Sequence, residues 1–196
     1  MNGERSLLAC SIMTPGRPVD VSFAPPPFRR RLSPLQRLFF SLANGLGPGA
    51  NETIVFASRD GEDTLTRRIV ADYADGGSVS PQRFSTSVYN AAPGLWSILT
   101  KNRSPYTAVA AGEETIECGL LEALLADKPA TFVYAEETGG GYGAAARFAL
   151  DGGTRRVAIL DPCADGRPIS FDALAAFLSG ASRDLCGRRL RLKDIP

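Results

Sequence analysis

Short apolar runs alternate with stretches of helical periodicity along most of this chain, which confines it to α/β architectures. Residues 7–13 read as a buried strand that stops at the turn Thr14-Pro15-Gly16. Residues 17–31 hold Pro18, Pro25, Pro26 and Pro27 and read as an irregular connector. Ser33-Pro34 fits the cap and first position of a helix that carries Leu35, Leu38, Phe39, Leu42 and Leu46 at helical spacing, with Gly45 to Gly49 ending it. A strand is expected at 53–57. An amphipathic helix follows at 60–74, with Leu65, Ile69 and Tyr73 on one side. The same pattern predicts a helix at 90–100, a small-residue strand at 106–111, a helix at 114–126 and a strand at 131–134.

After the glycine-rich loop 139–143, residues 144–150 and 156–160 read as neighbouring strands joined in a hairpin at Asp151-Gly152-Gly153. Ser170 caps a last helix ending at Leu178. Arg189-Leu190-Arg191-Leu192 alternates like an edge strand whose charges discourage aggregation. The expectation is an α/β fold, a mixed β-sheet covered by helices, with 1–196 as one domain. Within it, 151–196 supply a C-terminal strand, helix and basic tail.

The chain has no histidine. Proton transfer near neutral pH relies on imidazole more than on any other side chain. Ser-His-Asp and Cys-His schemes are therefore excluded within this chain, as are imidazole-bound metal sites. Cys10, Cys118, Cys163 and Cys186 stand far apart with no C-x-x-C pair, and read as free buried thiols of a reducing cytosol. No metal and no cofactor is expected. A net charge of +1 offers no field for nucleic acid or a membrane surface. The apolar stretch within residues 1–13 is too short for a signal peptide, and no run reaches the ~20 apolar residues of a spanning helix, so a cytoplasmic protein is expected. Gly139 to Gly143 is followed by Ala144-Ala145-Ala146, without the Lys-Ser/Thr pair of a phosphate loop, and reads as a connector. Ser85, Thr86 and Ser87 sit in no nucleophile elbow.

Ser80-Pro81, Asn90, Gly94 and Pro105, then a small-residue strand and a helix, follow one another without a gap in spacing. This segment, to about residue 125, resembles the N-terminal half of the β-ketoacyl synthases, enzymes of the thiolase-like fold. A weaker likeness extends over residues 1–150. The resemblance implies a half-thiolase-like layered fold. It also places the family's nucleophilic cysteine at Glu113, where a carboxylate is a poor acyl acceptor. The family's two histidines and lysine belong to its C-terminal half, and a chain without histidine cannot supply the former. The runs 80–92 and 110–115 look most like a short chain-length-factor-like branch of type II systems making aryl-polyene-like, polyketide or fatty acyl chains.

The resemblance thus implies a catalytically silent partner of a full-length ketosynthase, of an acyl carrier protein, or of a second copy of this chain. Alternatives are a binding module for acyl chains or carrier protein, and a decarboxylase or thioesterase that uses Glu113. Asn90, Gly94, Glu113 and Glu114 would line the substrate or partner pocket. Asn90 and Gly94 equally fit a helix start with a packing glycine, and the two acids equally fit a first helical turn. The basic cluster Arg29, Arg30, Arg31 and Arg37 would dock an acidic carrier protein. A half-fold should expose an apolar face, for which Phe84, Val88, Leu95, Trp96 and Leu99 are candidates.

Overall fold

The computed structural model describes residues 3–47, 51–153 and 155–195. Met1 of the N-terminal run and Gly49 of the expected helix end lie outside the described residues. One eight-stranded sheet organises the chain, in the order β3-β2-β4-β5-β1-β6-β8-β7. The strands are β1 (Gly3–Met13), β2 (Thr53–Ala57), β3 (Tyr106–Val109), β4 (Ala130–Glu136), β5 (Tyr142–Ala149), β6 (Arg155–Leu160), β7 (Asp184–Cys186) and β8 (Arg191–Ile195). β2 pairs in parallel with β3 and β4, and every other pairing is antiparallel. The expected mixed sheet is thus observed.

Helices cover both faces. They are α1 (Pro26–Arg29), α2 (Pro34–Gly45), α3 (Asp63–Ala74), α4 (Pro81–Ser85), α5 (Ala91–Thr100), α6 (Thr115–Leu124) and α7 (Phe171–Leu178). Alternation along the strands sends Ile54, Phe56, Val133 and Ala145 to a core shared with α2 and α5. Val55, Ala57, Phe132 and Ala146 face a second core shared with α6 and α7. The helix start at Ser33-Pro34 is a capping box: the Gln36 amide donates to Ser33 Oγ at 3.0 Å, and the Ser33 amide donates to Gln36 Oε1 at 3.1 Å. Ser170 caps α7 as expected, its hydroxyl accepting from the Ala173 amide.

The expected hairpin between 144–150 and 156–160 is not formed. β1 lies between β5 and β6, pairing with β5 over Ser6–Met13 and with β6 over Gly3–Leu7. The intervening chain crosses β1, and a Cβ at Gly153 would lie 2.8 Å from Ser6 Cβ and 3.0 Å from the Leu7 carbonyl oxygen. Only glycine permits that approach. The hairpin in this region instead joins β4 to β5, through three successive glycines of positive φ, Gly139, Gly140 and Gly141.

Residues 189–192 do not form an edge strand. β8 is flanked by β6 and β7, so its backbone groups are paired on both sides, and the short β7 takes the edge. The described residues of 151–196 therefore complete the core: Val157, Ile169, Phe177 and Leu192 pack against α6 and the sheet. Buried Glu117 of α6 ties this segment down, accepting from the amides of Ile169 at 2.9 Å, Arg189 at 2.5 Å and Arg188 at 3.3 Å.

Two further expectations change. Cys163 and Cys186 are joined as a disulfide, their Cα atoms 6.1 Å apart, because the chain after β6 folds back on the end of β7. Cys10 is exposed and Cys118 half-buried, so none of the four is the buried free thiol expected, and cysteine usage does not argue for a reducing compartment. The predicted apolar side of α3 buries no residue: Leu65 and Ile69 are half-covered and Tyr73 is exposed, since α3 packs mainly on α4.

α6 lies so close to the sheet that a Cβ at Gly119 would stand 2.7 Å from Ala57 Cβ and 2.8 Å from Phe132 Cε2. Gly119→Val should destabilise the protein by about 1–3 kcal/mol, read as a lower urea midpoint with unchanged slope. An unchanged midpoint would contradict this packing.

Candidate functional site

Parallel strands place their C-terminal ends along one sheet edge, the usual location of sites in such folds. Here the ends of β2, β3 and β4 meet the head of α6. Glu136, last residue of β4 and fully buried, gathers the chain that leaves β2. Its carboxylate accepts from Ser58 Oγ at 3.1 Å, from the Asp60 amide at 3.3 Å and from the Arg59 amide. The Tyr89 hydroxyl donates to the Arg59 carbonyl at 2.9 Å, fixing the same loop from outside.

Beside this loop opens a cleft of about 400 Å³, with Arg59, Glu113, Tyr134, Tyr142, Arg167 and Phe171 in its walls. Glu113 sits in the 3₁₀ turn Gly112–Glu114 that leads into α6, and is exposed. Thr115 locks the turn: Oγ1 donates to the Gly112 carbonyl at 2.7 Å and accepts from the Ala111 amide at 2.9 Å. The aromatic wall is contiguous, with ring centroids 6.3 Å apart for Tyr134–Tyr142 and 4.9 Å for Tyr142–Phe171. Burial pushes the Tyr134 hydroxyl well above its ordinary range. The pocket is thus an aromatic slot rimmed by one carboxylate and two guanidinium groups, of which Arg59 is already paired with Asp60.

The other residues singled out in the sequence scatter around this cleft. Glu114 turns away to bind the C-terminal segment, accepting from Arg188 Nη1 at 3.2 Å and from Arg189 Nε. The Arg189 hydrogen bond holds its carboxyl below the usual range. Asn90 precedes α5 and makes no side-chain cap, while Gly94 packs against Tyr106, a Cβ there lying 3.2 Å from the Tyr106 hydroxyl. α5 and α6 cover opposite faces of the sheet, so Asn90 and Gly94 do not join Glu113 in one pocket. Of the basic cluster, Arg37 is committed to the connector, donating to the carbonyls of Leu32 at 3.2 Å and Arg29 at 2.7 Å. Arg30 and Arg31 are exposed. Among the apolar candidates Trp96 is core, Leu95 and Leu99 lean on it, and Phe84 and Val88 are exposed. No group of three or more metal-binding side chains occurs among the described residues.

The loop after β2 rests on further acids that the sequence pattern does not single out. The Thr64 amide donates to Glu137 Oε1 at 2.6 Å. Buried Glu62 accepts from Gln36 Nε2 at 2.8 Å, and its second oxygen has no partner among the described residues. The signal in the sequence is the pair Glu136-Glu137 at the end of an apolar strand.

Burial pushes the Glu62 carboxyl up from 4.5 to about 7, against opposing hydrogen bonds from Ser33 and Gln36. The folded protein therefore holds a proton that the unfolded chain releases, and stability falls as pH rises between 4.5 and about 7. One such group contributes at most about 1.4 kcal/mol per pH unit. Urea melts across this window should show a shallower fall for Glu62→Gln. Part of the slope should remain, because burial raises Glu136 as well. Equal slopes for the two proteins would contradict the assignment.

Residues 8–136 match the family model of the β-ketoacyl synthase N-terminal domain. The fold is similar to a chain in the complex of the ketosynthase ApeO with its chain length factor ApeC from Xenorhabdus doucetiae. The TM-score is 0.75 at 20% identity, over 98% of this chain and 99% of that one. It is also similar to the ishigamide ketosynthase/chain length factor, with a TM-score of 0.56 at 16% identity over 78% of this chain; the match spans 55% of that chain. No curated protein matches. The layered sheet has the ketosynthase-type, thiolase-like arrangement, and the chain belongs to the β-ketoacyl synthase N-terminal domain family.

Proposed function

We propose that this chain is a catalytically silent, chain-length-factor-like subunit that pairs with a full-length ketosynthase in a type II polyketide or fatty acyl system, of the aryl polyene kind. The observation that carries the reading is the head of α6, where the nucleophile position inferred from the family spacing is an exposed carboxylate, Glu113. The nearest thiol in sequence, Cys118, lies inside the helix, and burial raises its pKa, which disfavours the thiolate. No imidazole exists in the chain to assist it. Without a nucleophile and a proton carrier, the cleft can hold a chain but not transfer it.

The partner surface in this reading is the free side of β3. β3 ends the sheet with one row of backbone groups unpaired to any described strand. Exposed Tyr106 lies on it, and Ile98 of α5 and Leu125 at the end of α6 are exposed on the flanking helices. An open edge with apolar flanks suits strand addition by another subunit. The exposed arginines Arg30 and Arg31, with Arg29, would face an acidic carrier protein. A cytoplasmic complex goes with this reading; no described helix is long and apolar enough to cross a membrane. A Glu113-dependent decarboxylase or thioesterase is the competing reading, and it requires turnover that Glu113→Gln abolishes.

Co-expression with the full-length ketosynthase of the same system should give a stoichiometric heterodimer by light scattering. Ile98→Asp and Tyr106→Asp should weaken the pair by at least about tenfold, since each buries a charge in an apolar contact, and should leave each subunit folded. A monomer that ignores the ketosynthase would contradict the proposal.

A further inference from the structure

Two clefts lie side by side on the α2–α5 side of the molecule, away from Glu113. The first, about 420 Å³, is walled by Pro25, Pro27, Phe28, Leu32 and Leu95, between the proline connector, α4 and the middle of α5. The second, about 470 Å³, carries Arg30, Arg31, Arg68 and Arg83. Arg31, Leu32, Gln82 and Thr86 line both, so the two adjoin. Their total size falls in the range of small-molecule sites.

Cationic side chains gather in the second cleft, with Arg31 lining both. No acidic side chain lines either cleft among the described residues. Arg83 is paired with Asp72 at 3.1 Å, but Arg30, Arg31 and Arg68 form no ion pair with a described acid. Arg37 stiffens the wall between connector and helix through its bonds to Leu32 and Arg29. Gln36 ties α2 to the Thr86 carbonyl at 3.0 Å, beneath the junction. A held apolar trough thus adjoins uncompensated guanidinium groups, which favour multidentate anions.

We infer that this double cleft binds a single apolar chain ending in a phosphate, with the chain in the Phe28–Leu95 trough and the phosphate among Arg30, Arg31 and Arg68. A phosphate rather than a carboxylate is favoured because its dianion can engage several of these arginines, whereas a carboxylate offers one charge. The inference shares Arg30 and Arg31 with the carrier-protein face of the proposed function, but it needs neither a ketosynthase partner nor Glu113, so titration of the chain alone tests it separately.

Calorimetric titration of the full chain with decyl phosphate tests it, alongside decanoate, decanol and inorganic phosphate. Decyl phosphate should saturate one site and bind at least about tenfold more tightly than each of the other three, as expected when both a charge-assisted contact and an apolar chain contribute. Arg31→Glu and Gln82→Trp alter exposed side chains at the junction, and their melting temperatures report that they fold. Each should weaken decyl phosphate by at least about tenfold, the first by charge reversal and the second by filling the passage. Absence of saturable binding, equal affinity for decanoate or decanol, or binding unaltered in either folded variant would overturn the inference.

Discussion

Backbone pairing along both edges of β1 holds this molecule together. One edge carries β5 and, through it, β4, β2 and β3; the other carries β6, β8 and β7. Among the described residues, no pairing outside β1 joins the two groups. The family model ends at residue 136, yet the strands that close the sheet and much of the core beneath α6 come from beyond it. Once the chain has crossed β1 at Gly153, it can lay β6 beside the N-terminal half of β1 and bring α7 under β5. The C-terminal segment is thus part of the layer that seats α6, and so of the cleft at its head.

Buried carboxylates then fix what the sheet brings together. Glu136 gathers the turn after β2, and Glu117 gathers the segment before β8. Each is an acid held by backbone amides rather than by a cation, an arrangement in which removing the acceptor leaves several donors unsatisfied. Both flank the aromatic cleft from opposite sides: Glu136 positions Arg59, and Glu117 positions the Arg167–Phe171 wall through Ile169. Much of the polar chemistry around the cleft is therefore consumed in holding its walls.

Local signals in the sequence carried most of the elements. Ser33-Pro34 with Gln36, the apolar run 53–57 and Ser170 act within a few residues of themselves, so their structures follow their spelling. Pairings between distant segments did not show. The adjacency in sequence of 144–150 and 156–160 suggested a hairpin, but β1, more than a hundred residues upstream, takes the place between them. The three-residue β7 has no period to detect, and it moves residues 191–195 from the edge to the interior. Cys163 and Cys186 meet only because of that edge. Of the site, the turn at Glu113 was legible because its spacing from Pro105 is fixed by one strand. That Asn90 and Gly94 belong to a helix on the other face of the sheet from it did not show, because spacing cannot say which face of a sheet a helix takes. Glu117 and Glu136 carry no spacing signal in the sequence and are found fully buried.

Acyl transfer by this fold requires a group that becomes acylated, so intact-mass measurement tests the account most directly. After incubation with acyl thioesters in the presence of the ketosynthase partner, the account predicts an acyl increment on the ketosynthase and an unchanged mass for this chain. An acyl adduct on this chain, mapped to Glu113 or Cys118 and turning over with time, would contradict it.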